Sequence, residues 1–305
     1  MFVTGKGGVG KTTIAAALAE LAAREGKRTL VCEMDAKGAL AAAYDVAPLG
    51  FAPTEVRPGL FAMTMNTEDS LKEYLRLFVR IPFVGRIGPL ARTFDFVADA
   101  APGVKEILAV GKLCYEVREQ HYDLVVVDAE ASGHIVAQIA APKAIRELVQ
   151  VGIVRDQTDW MIEILDDPRQ TGLVVVATPE EMPVTETIEL LGMVHDQTNV
   201  DVAAVVANRV LPSLFSPQEA EVFDALAGPA PQARLREMAG QRVGTVFAAA
   251  ELAQARWKIG ATHLQRLRDA VDRGVPLLLV PELFTKASGR RVVTLVAEAV
   301  AEELG

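Results

Sequence analysis

Cysteine is scarce in this chain: Cys32 and Cys114 are the only two thiols in 305 residues. Two isolated cysteines in apolar surroundings cannot build a disulfide framework, and they are expected to be buried free thiols of a reducing, cytoplasmic compartment. Four thiolates for a zinc clamp or an iron–sulfur cluster are not available, so no zinc and no iron–sulfur cluster are expected. No apolar run approaches the ~18 residues of a membrane span, and Lys6 and Lys11 interrupt the N-terminus where a signal peptide would be apolar. Positive charge is also in deficit: 31 Lys and Arg stand against 40 Asp and Glu, a net charge of −9. That balance argues against a nucleic-acid partner, which needs a basic face. Internal repeats and low-complexity tracts are missing as well. What is plentiful is hydrophobic residues, half of the total, enough for one large domain or one domain carrying an insertion.

The most informative stretch is Gly5-Lys6-Gly7-Gly8-Val9-Gly10-Lys11-Thr12, followed by Thr13. Its pattern G-x-x-x-x-G-K-[ST] is a phosphate-binding loop: the glycines let backbone N–H groups cradle phosphate oxygens, Lys11 reaches the β- and γ-phosphates and the Thr12 hydroxyl ligates Mg²⁺. The alanine-rich run from Thr13 to Leu21 puts a helix N-terminus behind the loop, which favours an anion. A nucleotide's phosphates with Mg²⁺ are therefore the expected ligand. Only four residues precede Gly5, fewer than the usual five or so of a strand, which leaves a start further upstream open. The second lysine, Lys6, has no duty in an ordinary phosphate loop. This KGGVGKT form resembles the deviant phosphate-loop class of MinD, ParA, nitrogenase iron protein and the arsenical-pump and tail-anchored-protein-targeting ATPases. The resemblance implies that Lys6 crosses a dimer interface to the partner's nucleotide, as an arginine finger does. The alternative is a solvated lysine.

Short β-branched runs alternate with helical stretches. Strands are expected at Phe2–Thr4, Thr29–Glu33, Leu60–Met65, Asp123–Asp128, Gly172–Thr178, Val202–Asn208 and Pro276–Val280. Runs such as Leu124-Val125-Val126-Val127 lack alternation and read as strands buried on both faces. The expected fold is α/β, a doubly wound and mostly parallel sheet with ligands at the C-terminal strand ends. Residues 1–305 form the ATPase domain; 66–120 reads as an inserted helical subdomain and 212–272 as an additional helical segment. In the first, Thr67-Glu68-Asp69-Ser70 opens a helix whose Leu71, Tyr74, Leu75 and Phe78 make one stripe, and a further helix follows Pro102-Gly103. In the second, a break is expected near Gly228-Pro229.

Asp128, at the end of a buried strand, suits the magnesium's water shell; the alternative is a helix N-cap. Gly133 can offer a backbone N–H to the γ-phosphate in a loop that senses hydrolysis, and His134 beside it reads as a structural or coupling residue. Asp35 can polarise the attacking water, with Glu33 as a neighbouring rival.

The order GKGGVGKTT, Asp35, Pro102-Gly103-Val104-Lys105-Glu106, Asp128-Ala129-Glu130-Ala131-Ser132-Gly133-His134, Thr178 to Thr187, Asn208-Arg209 and Pro281-Glu282-Leu283-Phe284 resembles the arsenical-pump and tail-anchored-protein-targeting ATPase family over nearly the whole chain. It is most similar to the paired ATPases of actinobacteria. The resemblance implies that Asp35 is the catalytic aspartate of switch I, that Asp128 to His134 is switch II, that Asn208 and Arg209 meet adenine and that Pro281 and Glu282 line the base. It also implies a homodimer, or a heterodimer with a paralogous ATPase. There are departures. Switch I of the family reads D-P-A-H where this chain has Asp35-Ala36-Lys37-Gly38, and Glu130-Ala131 replaces an Ala-Pro in switch II; the extra carboxylate repels the γ-phosphate, so either slow turnover or a different response of the loop is expected. The zinc-binding C-x-x-C is replaced at Ala250 and Ala253, ahead of Trp257, a candidate packing anchor. Arsenite efflux is not expected from two cysteines far apart in sequence. From Tyr74 to Phe94 the insert is apolar and basic, which suits either a surface for a hydrophobic protein client or a membrane, or a helical lid packed on its own domain. The competing functions are a MinD- or ParA-like positioning ATPase, which the acidic C-terminal tail disfavours, and a nucleotide-binding, non-catalytic subunit of a heterodimer.

Overall fold

The computed structural model describes residues 1–78, 104–148 and 153–305. An eight-stranded sheet runs through it in the order β3-β4-β2-β5-β1-β6-β7-β8. The strands are β1 Phe2–Gly5, β2 Thr29–Glu33, β3 Thr54–Arg57, β4 Leu60–Thr64, β5 Leu124–Ala131, β6 Gly172–Ala177, β7 Asp201–Val210 and β8 Leu277–Pro281. Every neighbouring pair is parallel except β3–β4, which is antiparallel. Each strand expected from the sequence is present, shifted at its ends by up to three residues. β3 is the addition. Its residues are exposed or half-buried, so it carries no apolar run to betray it.

Alternate residues of the central strands feed two separate cores. Phe2, Leu30, Cys32, Val125 and Val127 face one layer; Val3, Val31, Val126 and Val174 face the other. The second layer is closed by helix α1, Lys11–Arg24, whose Ile14, Ala15, Ala16, Ala17 and Ala19 are buried, and by the last helix, which buries Val293, Val296, Ala297 and Val300. Small side chains let α1 lie close to the sheet, so the loop that precedes it is held against a packed core.

The other helices, in chain order, are α2 Ala39–Tyr44, α3 Thr67–Phe78, α4 Val104–Arg118, α5 Ser132–Leu148, α6 Ile153–Asp166, α7 Glu181–Gln197, α8 Pro217–Leu226, α9 Pro229–Ala239, α10 Arg242–Ala270 and α11 Arg290–Leu304. α3 and α4 begin where their sequence signals stand. The stretch between them, with the apolar and basic residues up to Phe94 and the Pro102-Gly103 pair, lies outside the described residues, as do the side chains of residues 74–78. Helices α8 to α10 fill 212–272, with Gly228 as the cap that separates α8 from α9. α8 and α9 bury no residue, and α10 buries only Gln254 and Leu267 of its 29.

Candidate nucleotide site

The residues singled out by the sequence come from the C-terminal ends of β1, β2, β5, β7 and β8, the edge where open α/β sheets bind ligands. Two glycines set the loop. A Cβ on Gly5, where φ is +149°, would lie 2.1 Å from the Val176 carbonyl oxygen of neighbouring β6. A Cβ on Gly10, where φ is +93°, would lie 2.5 Å from Asn208 Nδ2. That amide donates to the Val9 carbonyl at 2.8 Å, while Asn208 Oδ1 accepts the Arg209 N–H at 3.0 Å. Asn208 is thus a brace between β7 and the loop. Gly7 and Gly8 are exposed, Val9 is buried beneath them, and Thr13 lies half-buried on the first turn of α1. Lys11 Nζ donates to the Lys6 carbonyl at 3.3 Å, folded over the loop. Burial pulls its pKa below the ordinary lysine value, against the opposing charge of Asp128.

Thr12 Oγ1 donates to Asp128 Oδ2 at 2.6 Å. The second oxygen, Asp128 Oδ1, is buried and has no hydrogen-bond partner. Burial pushes this carboxyl up to about 6, although the Thr12 hydroxyl and Lys11 pull it down. A hydroxyl and an unpartnered carboxylate oxygen side by side are hard oxygen donors, and they fit Mg²⁺ held partly by phosphates and water. Among the described residues no cluster of three His, Cys, Asp or Glu could hold a metal on protein ligands alone.

The segment after β2 separates the two rival carboxylates. Glu33 is buried and accepts backbone N–H groups of Lys37 at 3.1 Å, Ala39 at 2.9 Å and Leu40 at 3.3 Å. It caps α2, whose own cap residue Gly38 has no side chain to do so. Asp35 is half exposed and ion-paired with Lys37. The hydrogen bond to Asp35 raises the Lys37 pKa, with Glu130 adding to the rise. The end of β5 is tied to β1 where Thr4 Oγ1 donates to the Glu130 carbonyl at 3.1 Å. Gly133 is exposed on the first turn of α5, and His134 Nδ1 stands 3.9 Å from Glu130 Oε2.

Lys6 is ion-paired with Glu186 on α7. Glu186 lies within the Thr178–Thr187 segment, where the sequence alone assigns it no role. The contact joins positions 180 apart, which no local pattern reveals. Beyond the loop a cleft of about 780 Å³ is lined by Arg209, Glu282, Arg256 and Trp257, among others. Pro281 ends β8 at its edge, and the Glu282 N–H bonds the Val210 carbonyl at 2.9 Å. Trp257 is half-buried here, on the cleft wall.

The family model for anion-transporting ATPases matches residues 1–155 and 146–227. ATPase BagA of Mycobacterium tuberculosis is 32% identical over 228 residues, 71% of this chain and 66% of the relative. An ATPase ASNA1 homolog of Entamoeba dispar is 25% identical over 254 residues, 70% of this chain and 76% of the relative. The chain thus spans just under two thirds of the mycobacterial relative's length. With the phosphate loop, the Thr12–Asp128 pair and the parallel sheet in place, the chain belongs to the anion-transporting ATPase family.

Proposed function

We propose that the chain hydrolyses ATP to ADP and phosphate as a nucleotide-switched dimer, either with itself or with a paralogous ATPase, and that closure is coupled to a hydrophobic protein client or membrane surface. The observation that carries this reading is the convergence of Lys11, Thr12, Asp128, Asp35 and the extra cation Lys6 on one strand edge. The loop amides and Lys11 bind the phosphates. Thr12 and Asp128 Oδ1 are the residues that would hold Mg²⁺, which would supply positive charge against the triphosphate. Asp35, once released by Lys37, orients the attacking water and accepts its proton. Lys6 of the facing protomer offsets the charge on the transferring phosphoryl group. Gly133 reads the γ-phosphate and passes its loss to switch II. Arg209, Pro281 and Glu282 form the base end of the site, and Asn208 reaches adenine by exchanging one of its present bonds.

A full swing from 1:99 to 99:1 in closure needs about 5.5 kcal/mol of differential binding. Contacts from two lysines to a triphosphate are of the kind that supply it. The helices within 66–120 and 212–272 are then the parts that carry closure to a client. Arsenite is not the cargo on this reading. Burial pushes the Cys114 thiol up to about 12 and the Cys32 thiol higher still, which keeps both protonated and poor ligands.

Two other readings have bearings in the structure. The Asp35–Lys37 pair favours a nucleotide-binding, non-catalytic subunit, because a paired carboxylate is a poor base. A MinD-like membrane helix is disfavoured, because α11 packs its apolar face on α1. Phosphate release by the purified chain with Mg·ATP, beside Lys11→Ala, tests the proposal. The expected result is steady turnover lost in the variant; binding without turnover would leave the non-catalytic subunit.

A further inference from the structure

Lys6 does not rest in solvent. Its ammonium is paired with the carboxylate of Glu186, and the two side chains are 29% and 31% exposed. Glu186 is held in a rigid frame: Val184, Thr187 and Leu190 on the same helix are buried, and Thr185 just before it bonds Glu181 within α7 and Arg266 of α10 at 3.0 Å. The phosphate loop is equally fixed through Gly5 and Asn208. The pair therefore joins two packed elements through side chains alone, and Lys6, with its four-carbon stem, can swing away to exchange partners.

We propose that Glu186 is a positioning residue for Lys6. It holds the ammonium within its own protomer and must be displaced when Lys6 crosses to a facing triphosphate. The inference rests on the reading of Lys6 as a cation acting in trans, and it adds the group that competes for that cation. The balance suits exchange. One carboxylate at a half-exposed site holds an ammonium weakly, whereas Mg·ATP in a closing interface offers more charge and less water. Glu186 thus sets a threshold: a chain without nucleotide keeps its trans cation folded back and does not close.

The test follows association of the full chain over a dilution series, by light scattering with Mg²⁺ and a non-hydrolysable ATP analogue, with Mg·ATP turnover in parallel. Glu186→Gln is expected to lower the half-dimerisation concentration about 2- to 30-fold, the range set by two such pairs broken per dimer. Turnover at dilute protein should rise with it. Glu186→Asp, which keeps the charge, should stay near wild type, and the double variant with Lys6→Ala should behave as Lys6→Ala alone. Glu186→Ala, which a helix tolerates well, is expected to match the Gln variant and replaces it should that one misfold. Wild type that associates while a folded Gln or Ala variant associates no more tightly overturns the inference and leaves the trans reading standing. Wild type that fails to associate with nucleotide, both with itself and with a paralogous ATPase, overturns both.

Discussion

Asp128 carries the clearest titration in the site. Its carboxyl ordinarily titrates at 3.8 and here at about 6, because burial disfavours the charge. Between those values the folded chain holds a proton that the unfolded chain has lost. The nucleotide-free fold is therefore favoured by acid through this group, and the benefit disappears as pH rises through 6. Mg·nucleotide binding has the opposite sign, since a metal takes only the ionised carboxylate. Affinity for Mg·ATP is expected to fall by up to about tenfold per unit below pH 6, and in Asp128→Asn the part of that slope beyond the phosphate's own titration should vanish. Calorimetric titration of both chains from pH 5 to 8 checks this. Asn208→Ala should cost about 1–3 kcal/mol in urea unfolding, because the Val9 carbonyl loses its buried donor. At this scale the sequence was legible wherever chemistry is local. Lys11, Thr12 and Asp128 announce themselves by spacing and by the strand before them. Asp35 was preferred over its rival Glu33 without the physical ground that separates them, which is that Glu33 folds back onto the amides of α2.

Among the elements, the two helices packed against the second core share a buried charge. Glu20 on α1 is 1% exposed; it pairs with Arg24, meets Arg57 of β3 at 2.8 Å and accepts from Thr294 of α11 at 3.0 Å. The cluster stitches the edge strand and the last helix to the helix that presents the phosphate loop. Glu20→Ala leaves Arg57 without its counter-ion and is expected to destabilise the fold by about 3–5 kcal/mol, read by denaturant unfolding; a loss under 1 kcal/mol would show that the three elements are held by apolar packing alone. Neither Glu20 nor β3 was visible beforehand. A glutamate among alanines on a helix reads as a solvated position until the sheet edge that covers it is known. Thr54–Arg57 has no apolar run to mark it, and pairing with β4 makes it a strand. The buried parallel strands were legible because burial on both faces forces near-continuous Val and Leu.

For the whole molecule the central question is whether one protomer completes another's site. Lys6 and Asp35 stand on one edge of the sheet, each held by a neighbour of opposite charge, and the proposed chemistry needs both released. If Lys6 acts in trans, the site holding a protomer's own Asp35 uses the lysine of its partner. Lys6→Ala and Asp35→Asn chains are then each inactive alone, yet a mixed dimer owns one intact site. Steady-state ATP hydrolysis by an equimolar mixture of the two variants is the most direct measurement. The account predicts recovery to about a quarter of wild-type turnover, half the dimers being mixed with one of two sites whole. A mixture no more active than the sum of its separate components would contradict it.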